Sequence, residues 1–356
     1  MNKKLVMLPL ERLEQRYTIE WYKWFDKYMK PYATIDGEML TDKIEDGAFL
    51  DICGTNYFKA TQIADTVSFI RDHKNDQDKM KDFIFFTTDV WHCGIESLAY
   101  IRDGLGLKFK IAGCLHAGTY DKFDFITSKG MGYWGKDYEN SLFRIFDYVF
   151  VATEWHKRQL IHSRDVEPNK VHVTGFPIYY EGPKFTYDGG WDHPCSMEKE
   201  NIVVLPNRLT IDKNPQLFEF VRDNEFCCPS LKDWKFVTTF STDGTFMTKA
   251  EYWEMLHKSK IMISFADHEN WGIAVQEALF AGCFVILPNK LSYVELYNPI
   301  IRYNCAMDLS AIVYHVVEAC NNKHHPLHKL RERDRDYALQ RGREAIPNMI
   351  KIMEES

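Results

Sequence analysis

Short apolar runs recur through the first half of the chain: KLVMLP, AFLDIC, DFIFFTTD, FKIAGCLHAG and DYVFVAT, each closing in a polar or glycine-bearing turn. Most are followed by apolar positions at helical spacing, and this alternation predicts a parallel sheet with helices on both faces. EWHKRQLIHSRD reads as an amphipathic helix and KVHVTGFPIY as a strand running into a loop. Residues 181–200, EGPKFTYDGGWDHPCSMEKE, mix Pro, Gly and charge without an apolar period, which is the composition of a linker. A second alternation follows at once, with NIVVLPNRL, WKFVTTFS, KIMISFAD and CFVILPN as strands and PQLFEFVRD, KAEYWEMLHKS and WGIAVQEALFAG as the helices between them. From about Leu309 the chain reads as helical to its end, and HKLRERDRDYALQRGRE has the charge pattern of a solvated helix. The expected organisation is α/β, with doubly wound domains at 1–185 and 186–335 and a helix at 336–356 that crosses back to the first domain.

Composition narrows the classes. Hydrophobic residues make up 45% and charged residues 27% of 356 positions, ordinary for a globular protein. No stretch approaches the roughly 18 apolar residues of a membrane span, so a soluble, cytoplasmic chain without stable membrane insertion is expected. MNKKLVMLPLERLEQRY carries a short apolar run followed directly by charges, and it reads as a first strand, not a signal peptide. The nine cysteines are scattered, with Cys227 and Cys228 adjacent and no C-x-x-C pair, which argues against a zinc site or a disulfide framework. The net charge of −7 is shared between the two halves, so neither is a basic nucleic-acid module and any such contact must come from a local patch. No G-x-G-x-x-G follows a predicted strand, which argues against a dinucleotide-dependent dehydrogenase.

The richest segment is 264–289, SFADHENWGIAVQEALFAGCFVILPN. A strand ends near Asp267, Glu269 follows, a helix opens near Gly272, and Glu277 lies eight positions after Glu269. In a doubly wound sheet this turn falls at the carboxyl ends of the strands, where ligands bind. The amides of Gly272, Ile273 and Ala274 would there face a diphosphate with their partial positive charge. Two carboxylates suit hydroxyl recognition, because each accepts from a sugar or ribose hydroxyl. In NRLTIDKNP, Arg208 and Lys213 follow the first strand of the same unit, and a guanidinium and an ammonium suit the charge that builds on a leaving diphosphate. No Asp-x-Asp pair stands convincingly beside a strand end, so no metal or other cofactor is expected to be required.

NRLTIDKNP, followed some sixty residues later by HENWGIAVQEALFAGC, resembles the retaining GT-B glycosyltransferases with the Glu-x7-Glu signature. ATEWHKRQL and VTGFPIY are similar to the segment that leads to that family's interdomain linker. The resemblance implies two Rossmann-like domains facing a central cleft, a UDP-sugar as donor, and retention of anomeric configuration. It implies that Arg208 and Lys213 hold the diphosphate, that Glu269 contacts the transferred sugar, and that Glu277 contacts the ribose. Asn207, Asn270 and Trp271 join these residues as donor-binding positions. Asn207 stands where a glycine is common in the family, and LPLERLEQRY replaces its glycine-rich loop.

The N-terminal half offers fewer signals. His116, in GCLHAGTYD, follows a strand between two glycines, and the resemblance places a histidine there against the donor sugar. A hydrogen-bonded structural histidine is the competing reading. Glu11, Arg12 and Arg16 after the first strand, Asp89, Trp91 and His92 in TTDVWHCG, and Tyr120 are the acceptor-side candidates. LPLERLEQRYTIEWYKWF is similar to glycosyltransferases of tailed bacteriophages, some of which decorate 5-hydroxymethylcytosine in DNA. The leading expected acceptor is that base in double-stranded DNA, extruded or reached through a widened groove, with Lys122, Lys129, Lys136 and Arg144 on phosphates. An envelope glycan or lipid-linked sugar is the alternative acceptor, and a non-catalytic sugar-nucleotide or nucleic-acid binding module is the alternative class.

Overall fold

The computed structural model describes residues 3–13, 16–40, 44–45, 49–180, 198–239 and 247–355. The chain divides into two compact units, Met1–Pro177 with Arg343–Ser356, and Ile178–Gly342. Of the expected linker, 181–197 lies outside the described residues.

In the first unit the strands are β1 (Lys4–Leu8), β2 (Ala33–Thr34), β3 (Ile44–Glu45), β4 (Phe49–Leu50), β5 (Phe83–Thr87), β6 (Lys110–Cys114), β7 (Tyr148–Val151) and β8 (Val171–Val173). Six of them form one parallel sheet in the order β2-β1-β5-β6-β7-β8. Every residue of β5 and β7 is buried, the condition of strands covered on both faces, which is why they read as continuous apolar runs. Side chains of β5 alternate: Phe86 packs on Phe25 of the helix Thr18–Met29, with ring centroids 5.3 Å apart, while Phe83 and Phe85 join Ile70 and Leu98 in the core on the other face.

One expected strand is corrected. AFLDIC adds nothing to the parallel sheet: β4 pairs antiparallel with β3 outside it. The reason is Asp51, whose carboxylate accepts the Cys53 N–H at 2.9 Å and caps the helix Ile52–His73, ending the extended run after two residues.

The second unit follows the expected alternation. β9 (Glu200–Leu205), β10 (Lys235–Thr238), β11 (Ser259–Ile263), β12 (Phe284–Pro288) and β13 (Arg302–Tyr303) form a parallel sheet in the order β10-β9-β11-β12-β13. Between them run the helices Pro215–Asp223, Lys249–Lys258 and Ile273–Phe280, the second opened by a capping box of Thr248 and Glu251. The helix Leu327–Glu354 belongs to the second unit up to Gly342 and to the first from Arg343.

Each sheet has one point where the direction of winding reverses, between β1 and β5 in the first and between β9 and β11 in the second. Connections leave such neighbouring strands toward opposite faces, which opens a crevice at their carboxyl ends. Residues 8–11 and 88–92 stand there in the first unit, and 206–213 and 264–272 in the second.

Candidate functional site

The second unit's switch point gathers the residues read as donor-binding. Lys213, buried, donates to the His268 carbonyl and lies 3.3 Å from an Asp212 carboxylate oxygen and 3.5 Å from Glu269 Oε2. Glu269 Oε1 accepts the amides of Asn270, Trp271 and Gly272 at 3.1, 3.2 and 2.8 Å. Gly272 precedes the helix Ile273–Phe280 with φ +77°, a left-handed conformation that glycine adopts without strain. One expectation is refined: the Gly272 amide is taken by Glu269, whereas those of Ile273 and Ala274 have no partner among the described residues. Burial raises the Glu269 carboxyl, but Lys213, the Gly272 amide, His268 and the Trp271 amide together hold it below the usual carboxylate range. Asp212 behaves alike: burial raises it, and Lys213, Thr210 and Arg208 bring it below its ordinary value. Both carboxylates are therefore ionised at neutral pH beside Lys213. Arg208 is half-buried in the same turn, and Asn207 is buried with no hydrogen-bond partner for Oδ1 among the described residues.

Glu277 is buried one and a half turns into the helix, with its carboxylate held by three donors. Tyr180 Oη (2.9 Å) and Lys249 Nζ (3.1 Å) donate to Oε1, and Tyr252 Oη (2.5 Å) donates to Oε2. Sequence reasoning missed these three residues. Lys249 and Tyr252 share one face of their helix at i, i+3, but nothing in the sequence joins that face to a glutamate 25 or more positions on.

The first unit's candidates stand near its switch point in different states. His116 sits just beyond β6 with both ring nitrogens engaged: Nε2 donates to the Thr88 carbonyl at 2.8 Å, and Nδ1 accepts from Tyr17 Oη at 3.0 Å. Trp21 and Phe176 rings lie 4.8 and 5.3 Å from it, and burial lowers its pKa. Asp89 receives Lys59 at 3.2 Å and the Trp91 amide at 3.1 Å. Trp91 Nε1 donates to Glu139 at 2.8 Å, and this fully buried carboxylate also accepts from Thr119 and Arg164. Tyr120 Oη and His156 Nε2 share a hydrogen bond of 2.5 Å. Glu11 is buried, with Oε1 unpartnered among the described residues, while Arg12 is exposed over the Tyr22 ring and 3.5 Å from Asp36. Arg16 lies over the Tyr17 ring.

His92 is fully enclosed. Gln62 donates its amide to the Pro9 and Ile35 carbonyls, which turns Oε1 toward His92 and makes Nε2–H the donor at 2.6 Å. Burial first and Lys59 second lower the imidazole to about 3. The folded protein keeps His92 neutral where an unfolded chain would protonate it. Its contribution to stability is therefore complete above about pH 6.5 and declines as pH falls toward 3. Denaturant melts at pH 7, 6, 5 and 4 should show this loss, and a smaller slope is expected in His92→Gln; equal slopes would assign the acid sensitivity elsewhere.

No protein-family model matches the chain. It is 43% identical over 68 residues to tRNA-queuosine alpha-mannosyltransferase of Drosophila melanogaster, a match covering 19% of this chain and 18% of that protein. Among solved structures, sucrose-phosphate synthase of Thermosynechococcus elongatus superposes with a TM-score of 0.64 at 10% identity, over 99% of this chain and 98% of the other. The UDP-forming alpha,alpha-trehalose-phosphate synthase of Burkholderia vietnamiensis gives 0.60 at 12%, covering both chains fully. TarM of S. aureus gives 0.54 at 16%, over 83% of this chain; the chain spans 58% of TarM's length. The two parallel-sheet, Rossmann-like units are the GT-B glycosyltransferase fold.

Proposed function

We propose that the chain is a retaining glycosyltransferase that moves a hexose or pentose from a UDP-sugar to a hydroxyl on a nucleobase. The observation that carries the donor half is the grouping at the second switch point: a buried lysine, a nearby arginine and two unpartnered amides at a helix start, beside the Glu269 carboxylate. Cationic groups and a helix N-terminus stabilise a diphosphate as its charge grows, and they act most strongly where water is scarce. Lys213 and Arg208 take the diphosphate, Glu269 a hydroxyl of the transferred sugar, and Glu277 the ribose. No side chain serves as a covalent nucleophile. The departing phosphate takes the acceptor's proton on the face where the new bond forms, so orientation and charge stabilisation supply the rate.

The acceptor read from the sequence is 5-hydroxymethylcytosine in DNA. A second reading, a hydroxyl of a modified nucleoside in tRNA, is favoured by the 43% identity over 68 residues to a tRNA mannosyltransferase. In both, phosphate contacts come from Lys122, Lys129 and Lys136; Arg144 is less available, because Asp165 holds it at 2.6 Å.

The test incubates the protein with a panel of UDP-sugars and hydroxymethylated DNA, unmodified DNA or bulk tRNA, then measures nucleoside masses. A hexose or pentose mass on one nucleoside is expected. UDP release without any nucleoside adduct would move the acceptor to a glycan or lipid. Because Lys213 and Arg208 carry the charge on the diphosphate, a chelator is expected to leave turnover largely intact; complete loss in EDTA would overturn the metal-independent mechanism.

A further inference from the structure

The first turns of the helix Gly132–Ile145, with the segment that leads into it, carry chemistry that neither switch point uses. Tyr133 has 85% of its surface exposed and no ring or hydrogen-bond partner among the described residues, although a large aromatic side chain in open water gains nothing from packing. Trp134, its neighbour, is 38% exposed and rests on a rigid aromatic group: its ring lies 5.9 Å from Trp91 and 6.1 Å from Tyr138. That group is fixed from below, because Trp91 Nε1 donates to the buried Glu139 and Tyr138 Oη donates to the His92 carbonyl at 3.1 Å. A run of contacting rings thus extends from Trp91 through Tyr138 to Trp134, and Tyr133, the preceding residue of the helix, stands exposed beside it.

The charges around it are sorted by sign. Lys122, Lys129 and Lys136 are exposed and in no ion pair among the described residues, and Lys122 and Lys129 lie over the Phe123 and Phe125 rings at 4.6 and 5.7 Å. The carboxylates of Asp121 and Asp124 instead turn onto the Phe123 and Ile126 amides at 2.8 and 2.9 Å. Asp137, beside Lys136, is an exposed acid that opposes them.

We propose that this face docks a nucleic-acid strand in which one nucleotide has left the stack, with Tyr133 stacking on an exposed base and Lys122, Lys129 and Lys136 on flanking phosphates. Flat rings interleaved with ammonium groups match the alternating base and phosphate of an unstacked strand. A lipid surface would call for aliphatic side chains beside the ring, whereas Lys136 and Asp137 follow Tyr133 by one turn of the same helix and are exposed. The inference rests on the reading that a nucleobase carries the acceptor hydroxyl, and it adds that the base must be unpaired or extruded when it is met.

The test is fluorescence anisotropy without donor sugar, on three labelled probes: an RNA stem-loop, a DNA duplex with one unpaired nucleotide, and the same duplex fully paired. The wild type should prefer the first two. Tyr133→Ala should weaken binding to them about 5- to 100-fold with little change on the paired duplex, and Tyr133→Phe should retain it. Lys129→Ala with Lys136→Ala should weaken all probes alike and reduce the salt slope by about 0.7–0.9 per lysine. Asp137→Asn should tighten all three. Unchanged melting temperatures keep these as surface effects. Tyr133→Ala binding like the wild type overturns the proposal, as does Tyr133-dependent binding to phosphatidylserine vesicles with none to nucleic acid. If sugar is transferred to a nucleoside yet Tyr133→Ala binds normally, this face fails and the function stands. If Tyr133→Ala loses binding but no nucleoside gains sugar, the function fails and the face stands.

Discussion

Lys213→Ala is expected to lower kcat by about 10²- to 10³-fold while weakening UDP binding less than about tenfold, because an ammonium at the leaving diphosphate acts most where charge is still growing. Lys213 is also the counter-charge of two carboxylates in a water-poor turn, Asp212 at 3.3 Å and Glu269 at 3.5 Å. Removing one partner of such a group leaves uncompensated buried charge, typically a loss of about 3–5 kcal/mol. The melting temperature should therefore fall as well, and turnover must be measured well below it. The double variant Lys213→Ala with Asp212→Asn removes one of the stranded charges. It should recover part of the stability and none of the turnover. Recovery of both would make Lys213 a structural residue. Equal losses in turnover and UDP affinity would instead point to uniform binding of diphosphate in ground and transition states.

Glu277→Ala is expected to weaken UDP binding by about 10- to 100-fold, the worth of a hydrogen bond to a charged group. The hydrogen bonds sharpen this expectation. A carboxylate offers about four acceptor positions, and Tyr180, Lys249 and Tyr252 fill three, two on Oε1 and one on Oε2. Among the described residues one position on Oε2 remains, enough for a single ribose hydroxyl and not for both. Of 2′-deoxy- and 3′-deoxy-UDP, one should thus lose affinity and the other keep most of it, and Glu277→Ala should erase the difference. If both analogues bind the wild type like UDP, Glu277 has no ribose to hold. Lys249→Met should loosen binding through the same carboxylate while leaving the rank order of the analogues in place.

Much of the architecture was legible because parallel strands covered on both faces must be apolar throughout, and helices between them must show one apolar stripe. β5, β7, β9, β11 and β12 all coincide with runs visible in the sequence. The two-residue strands β2 and β13 do not, since a pair of residues at a sheet edge has no period to read. AFLDIC misled for a related reason: its composition is that of a strand, but the Asp51 cap commits the following residues to a helix. At the candidate site, the placing of Arg208 and Lys213 in the loop after β9, and of Glu269 and Gly272 in the loop after β11, was legible because a loop that follows a strand is read from spacing along one stretch of chain.

The sequence by itself determined most of the strands and helices, the longer ones, and which charged residues fall at the carboxyl edge of the second sheet. Both follow from spacing along one stretch of chain. Tertiary structure alone decided the partners. It set Tyr180, Lys249 and Tyr252 around Glu277, enclosed His92 with Gln62, gave His116 two hydrogen bonds, and buried Glu139 under Trp91. Such contacts join residues tens of positions apart, so no local pattern carries them. They form because burying a polar group without a partner costs free energy that a hydrogen bond largely restores. The same packing left Tyr133 uncovered at the surface, a fact about the folded chain that the residue's identity does not contain.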